Sequence, residues 1–115
     1  MKITVRAKNL KLNKTLSIFI QEKLGSLEKF TSILGREGEL SVDIEKETKH
    51  HRKGPYFKTK AQLRFPSRIL EAKASREDLR SSIIEVKDEL QREVERMKNK
   101  ILQSRKMVDK NTSRV

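Results

Sequence analysis

There is no cysteine in these 115 residues, which removes both a disulfide framework and any thiolate metal site. No apolar run approaches the roughly 20 residues that a membrane-crossing helix needs. The opening MKITVRAKNL alternates and lacks the apolar stretch of a secretory leader. The chain reads as cytoplasmic. Aromatics are scarce: Phe19, Phe30, Tyr56, Phe57 and Phe65, with no tryptophan. The four phenylalanines fall on core-facing positions, which leaves Tyr56 as the single candidate for stacking on a base. That argues against an aromatic sheet face reading single-stranded RNA, and for recognition of folded RNA by shape and phosphate. Gly-rich phosphate loops, nucleophile elbows, paired-carboxylate sites, internal repeats and low-complexity tracts are missing. Nothing points to catalysis, a cofactor or a small-molecule substrate.

What the chain does have is positive charge: 28 Lys and Arg against 16 Asp and Glu, a formal net charge of +12. A single small domain this basic meets a polyanion, nucleic acid before an anionic membrane. A membrane-surface helix is disfavoured, because no helix pairs an aromatic-rich apolar face with a purely cationic one. The charge is blocked. Residues 1–14 carry Lys2, Arg6, Lys8, Lys11 and Lys14 without an acid, residues 15–45 are net acidic, and residues 46–60 and 96–115 are basic again. Plain solubility is the alternative reading of so charged a surface.

Hydropathy periods predict the elements. Ile3, Val5 and Ala7 alternate with Thr4, Arg6 and Lys8, a half-buried strand. Asn13 offers an N-cap for a helix over about 14–32 with Leu16, Phe19, Ile20, Leu24, Leu27 and Phe30 on one stripe. Alternation returns at 39–46, at 56–65 and at 68–74, with Gly54-Pro55 and Pro66-Ser67 marking the turns. Ser75 to Asp78 resembles a capping box. After it, Leu79, Ile83, Val86, Leu90, Val94, Met97 and Ile101 recur at steps of 4, 3, 4, 4, 3 and 4. The second helix should run from 76 to about 104, some ~43 Å, and overhang the sheet. The expected fold is α+β: a two-layer β-α-β-β-β-α sandwich with two helices on one face of a four-stranded sheet. The other face would carry Arg6, Lys8, Lys58, Lys60 and Arg64 to water. Residues 1–106 would form the binding domain and 107–115 a basic flexible tail.

The stretch KHHRKGPYF, residues 49–57, invites three readings. His50 and His51 could ligate a metal, but no further His, Cys or carboxylate cluster joins them. They could act as acid and base of a small ribonuclease, but neighbours on a strand point to opposite sides. Lys49, Arg52 and Lys53 need no such geometry to contact phosphates, and Gly54 lets the backbone come close. A solvated hairpin tip is the plainest reading. On the second helix Glu89–Arg92 and Glu93–Arg96 read as salt-bridged solvent face. Arg92, Arg96 and Lys100, at i, i+4 and i+8, form a cationic ridge beside the apolar stripe. Basic residues there also suit the helix dipole.

Three segments resemble the ribosome hibernation-promoting factor family, which includes ribosome-associated inhibitor A and is also called the sigma-54 modulation family. They are KLGSLEKF at 23–30, HRKGPYF followed by FPSRILEAKA, and EDLRSSIIEVKDELQREVERMKNK. The resemblance covers residues 1 to about 101. It implies a double-stranded-RNA-binding-like fold and binding to small-subunit rRNA in the mRNA/tRNA channel, where such proteins idle ribosomes under stress. The family's cations match Lys23 and Lys29 on the first helix and Arg92, Arg96 and Lys100 on the second. With Lys87 and the loop cations Lys49, Arg52 and Lys53, these are the candidate RNA-binding residues. Departures are Glu89 for a Lys, Glu93 for a Gln, Arg80 for a Tyr and Ser26 for a Lys. The chain looks like a short form, without the dimerisation domain of long members, and is expected to be monomeric off the ribosome. A general binder of structured RNA, such as an RNA chaperone, is the alternative, and a small ribonuclease the third class.

Replacing His50 and His51 together by Gln tests that third class. RNA cleavage by the purified protein should be absent before the change or undiminished after it; loss of a measurable cleavage activity would restore the nuclease.

Overall fold

The computed structural model describes residues 1–31, 38–47, 56–66 and 68–113, with side chains described through residue 104. The elements follow the expected order: β1 (Lys2–Lys8), α1 (Lys14–Gly25) continued by a 3-10 turn (Ser26–Phe30), β2 (Glu39–Glu47), β3 (Tyr56–Phe65), β4 (Arg68–Arg76) and α2 (Leu79–Ser113). The sheet order is β1-β2-β3-β4, with β1 parallel to β2 and the other pairs antiparallel. A parallel pair needs a crossover, and α1 supplies it. β1, β2 and β4 therefore point the same way. Each helix leaves the C-terminal end of such a strand, α1 after β1 and α2 after β4, so both begin at the same end of the sheet.

Alternation sorts the strands into two faces. Across the sheet the register sets Ile3, Leu40, Leu63 and Leu70 in one row, Val5, Val42, Ala61 and Ala72 in the next, and Ala7, Ile44, Thr59 and Ala74 in a third. This face lies under the helices. Ile83, Val86, Leu90 and Val94 of α2 are fully buried on it, as are Ile20, Leu24 and Leu27 of α1 and its 3-10 turn. Small residues (Ala61, Ala72 and Ala74) on β3 and β4 leave room for α2 to lie close. On the β1 side, Gly25 sits so near that a Cβ there would be 3.8 Å from Ile3 Cδ1. At the far end of the sheet, a Cβ on Gly38 would meet the Phe65 ring at 2.8 Å, so only glycine passes over that buried ring unhindered.

Several boundaries differ from the sequence reading. The α-helix expected to run to 32 ends at Gly25, a poor helix former, and tightens into the 3-10 turn. Its i, i+3 spacing still turns Leu27 and Phe30 toward the core. Thr31 closes the turn, giving both its N–H (3.2 Å) and its hydroxyl (2.9 Å) to the Glu28 carbonyl. Asn13 caps α1 as expected, its Oδ1 accepting from Leu16 N at 2.7 Å. The cap of α2 is Asp78, not Ser75: its carboxylate accepts from the Ser81 N–H at 3.2 Å and hydroxyl at 2.8 Å. Ser75 belongs to β4, which runs on to Arg76. α2 continues to Ser113, past its expected end near 104 and into the stretch assigned to a tail. No glycine or proline occurs beyond Pro66, so nothing in the backbone stops a helix whose nucleus is already held by the sheet. At 35 residues and 1.5 Å per residue it is ~53 Å long, and it sets the long axis of a body measuring 66 × 28 × 19 Å.

One polar pair lies inside the core. Thr59 Oγ1 and Ser82 Oγ are 2.7 Å apart and both residues are fully buried. Ser82 Oγ also lies 2.8 Å from the Leu79 carbonyl, which can only accept. The chain of bonds satisfies every proton if Thr59 donates to Ser82 and Ser82 donates to Leu79. Removing either hydroxyl orphans part of it, at about 1–3 kcal/mol in a buried site. In urea unfolding, Thr59→Val and Ser82→Ala should each destabilise by that order, and the double variant by ~1 kcal/mol less than their sum. Strict additivity would show that the pair does not join sheet to helix.

Candidate nucleic-acid interface

The face of the sheet away from the helices holds the expected cations, with acids threaded among them. β2 threads Glu39, Asp43 and Glu45 between them. The register opposes Lys2, Glu39 and Arg64; Arg6, Asp43, Lys60 and Lys73; and Lys8, Glu45 and Lys58. The remaining row ends on Glu71, which receives a hydrogen bond from Gln62 at 3.1 Å and pairs with Lys60 at 3.6 Å. Lys8 pairs with Glu45 at 3.7 Å. The Gln62 bond holds the Glu71 carboxyl below its usual range, with Lys60 and Lys73 adding to it. Each of these rows thus carries its own acid, an arrangement that suits strand pairing, and cations remain in excess.

The helical side differs. Arg92, Arg96 and Lys100 are exposed on α2, each about 40° further round than the last, so the ridge slants along the helix. Arg96 is held by Glu93 at 2.7 Å. Arg92 Nε lies 3.4 Å from the Asp88 carbonyl. Lys100 forms no ion pair among the described residues. Lys87 does not join them. It lies five residues before Arg92, about 140° away around the helix, and is paired with Asp88 at 3.4 Å. Toward the start of α2, Arg76 reaches from β4 to grip Glu85 through Nε at 2.6 Å and a terminal nitrogen at 2.9 Å, and this bond pushes the guanidinium pKa further up.

On α1 and its 3-10 turn the cations rest on aromatic rings. Lys23 Nζ lies 5.8 Å from the Phe19 centroid and Lys29 Nζ 5.3 Å from that of Phe30. The Phe19 ring has a second cation, the Arg80 guanidinium, 5.2 Å from its centroid and contributed by α2. Cation–π contacts hold a side chain in place without neutralising it. Lys23, Lys29 and Arg80 have no ion-pair partner among the described residues. The sequence reading noted Arg80 as a departure from the resembling family; its place over Phe19 is one that no spacing rule could have found, since the ring belongs to the other helix.

The candidates thus divide into an α2 ridge (Arg92, Arg96, Lys100), an α1 group (Lys23, Lys29) and Lys87 on another flank. Lys49, Arg52 and Lys53, with His50 and His51, lie outside the described residues. Among the described residues no cluster of three or more His, Cys, Asp or Glu could hold a metal ion, and no helix is long and apolar enough to cross a membrane.

Comparison with known proteins agrees with this architecture. A family profile described as Sigma 54 modulation protein / S30EA ribosomal protein matches residues 3–102. The fold is similar to that of the Protein Y N-terminal domain from Thermus thermophilus, at 20% identity and a TM-score of 0.64, over 84% of this chain and 99% of that one. It is also similar to a ribosomal subunit interface protein from Coxiella burnetii, at 14% identity and a TM-score of 0.70, over 86% and 99%. No match was found among curated proteins.

The helix cap beside Arg80 carries a pH signature. The Ser81 hydroxyl, then its N–H, and Arg80 behind them, hold the Asp78 carboxyl below its ordinary value. A depressed folded-state value means that the contribution is present above the unfolded value, near 3.8, and is lost as pH falls through the folded one. Asp78→Ala should lower Tm at neutral pH, and its deficit against the parent should shrink as the acid limb is titrated. A deficit independent of pH would show that the carboxylate's charge plays no part in the cap.

Proposed function

The chain belongs to the Sigma 54 modulation protein / S30EA ribosomal protein family, a family of ribosome-associated factors, and from that premise we propose that it is a hibernation factor for the small ribosomal subunit. It binds rRNA in the mRNA/tRNA channel as a monomer in the cytoplasm, excludes those ligands sterically under stress, and performs no catalysis. One observation on the molecule supports this reading: on the helical side Lys23, Lys29, Arg80 and Lys100 are exposed and have no ion-pair partner among the described residues. Phosphate contact requires exposed cations that no carboxylate already occupies. Binding of this kind releases counterions and weakens steeply with salt.

Glu93 on Arg96, and Glu89 close to Arg92 in sequence, temper the ridge. A modest affinity follows, with the small subunit preferred over bulk duplex RNA through shape as well as charge. The triple reversal Arg92→Glu, Arg96→Glu, Lys100→Glu tests the reading on a sucrose gradient. The tagged parent should travel with small subunits at moderate salt. The variant should remain at the top, with at least ~100-fold weaker association for three lost phosphate contacts near 0.1 M salt, and with unchanged circular dichroism. A variant that still sediments with ribosomes removes the ridge from the interface. A parent that prefers bulk duplex RNA to small subunits is instead a general RNA binder.

A further inference from the structure

The cations of the helical side are not confined to the ridge. α1 and α2 begin side by side, and a shallow pocket of about 330 Å³ opens between their first turns, lined among others by Leu10, Lys11, Asn13, Leu16, Asp78 and Arg80. Next to it the half-buried Phe19 ring carries Arg80 from one helix and Lys23 from the other. Lys11, Lys23 and Arg80 are exposed and unpaired among the described residues. The caps Asn13 and Asp78 take up first-turn N–H groups themselves, and the Asp78 carboxylate is turned onto Ser81, so attraction here rests on the three side chains. β2 ends and β3 begins at this same end of the sheet, at the register pair Glu47 with Tyr56.

We propose that Arg80, with Lys11 across the pocket between the two helix starts and Lys23 across the Phe19 ring toward the end of α1, forms a second phosphate-binding site that takes RNA backbone phosphodiesters. Three properties support it. The guanidinium is planar, presents several donors in a fixed fork, and lies over a ring at 5.2 Å, which lowers the side-chain freedom to be lost on binding. No ion pair must be broken at Arg80 or Lys23, in contrast to Arg96 on the ridge; the nearby Asp78 carboxylate, turned onto Ser81, offsets part of the attraction at Arg80. The two sites also sit on one rigid element: Arg80 and Lys100 are twenty residues apart along α2, ~30 Å, and about 160° apart around it, so an RNA that touches both must wrap the helix, which a free phosphate ion cannot do. The site uses a residue, Arg80, that stands where the resembling family has a Tyr. It would restore RNA contact that Glu89 and Glu93 take away from the ridge.

This inference rests on the RNA-binding reading above, and the experiment separates the two. Binding of a labelled RNA hairpin and of small subunits is measured between 50 and 200 mM salt for the parent, for Arg80→Gln/Lys23→Gln, for Arg80→Lys and for the ridge triple variant. Each lost phosphate contact should cost ~10-fold near 0.1 M salt and reduce the salt slope by about one unit. The double variant should therefore bind ~100-fold more weakly with a slope lower by about two, while its circular dichroism and Tm stay those of the parent. Arg80→Lys should keep the slope and lose part of the affinity, because the charge remains and the fork does not. An unchanged affinity and slope in the double variant, alongside a weakened ridge variant, overturns the second site and leaves the proposed function standing. No binding of either RNA by the parent overturns both. If the double variant loses Tm as well as affinity, the Arg80→Lys comparison decides: a slope that falls with it excludes a charge contact.

Discussion

The rest of the molecule depends on one packing commitment, the stripe Ile83, Val86, Leu90 and Val94 of α2 against the small and branched residues of β3 and β4. A helix that buries one stripe has no rotational freedom left. Once these four are out of water, Arg80 must lean toward α1, Arg92 must point away from the sheet, and Lys87 must fall on a different flank from the ridge. The directions of the charges follow from the apolar positions, although the charged residues contribute little to holding the helix down.

The same economy governs the sheet. Its outer face meets water with acids threaded among its cations, although Lys60 and Lys73 stand side by side. The helical side pairs Arg76, Lys87 and Arg96 with acids and, among the described residues, leaves Lys23, Lys29, Arg80 and Lys100 without ion pairs. The topology adds to this arrangement. Because β1, β2 and β4 are codirectional, both helices start at one end, and the first-turn residues of two elements far apart in sequence become neighbours.

Period and punctuation carried most of the fold. Strand alternation identified Leu40, Val42 and Ile44, and Leu63 with Ala61, because a period of two leaves no ambiguity about which residues share a face. Ends were harder. Ser75 and Asp78 are both good caps, and only the extension of β4 to Arg76, a matter of pairing with Phe57 on another strand, decides between them. Leu27 and Phe30 fit a helix and a 3-10 turn equally well, since both spacings include three. The run RKMVDKNTS has no apolar period to announce a helix, yet it also has no breaker, and a helix already nucleated continues through it. The ridge on α2 was legible because it lies on one element; the cluster around Phe19 was not, because it exists only where two elements meet. The cations at 49, 52 and 53 fall outside the described residues.

The Thr59–Ser82 pair has a consequence beyond its own free energy. Apolar stripes are forgiving lengthwise: a helix displaced by one turn along its axis, ~5.4 Å, would still set aliphatic residues against aliphatic residues. The Thr59 hydroxyl is not forgiving, because any such slide takes Ser82 away with its own Leu79 carbonyl and leaves Thr59 buried without that partner. The two hydroxyls act as an index mark that fixes α2 along the sheet as well as around its axis. The positions of the basic groups at its two ends are thereby gauged from one buried hydrogen bond, and a protein with so spare a core can still present its charges at a set spacing.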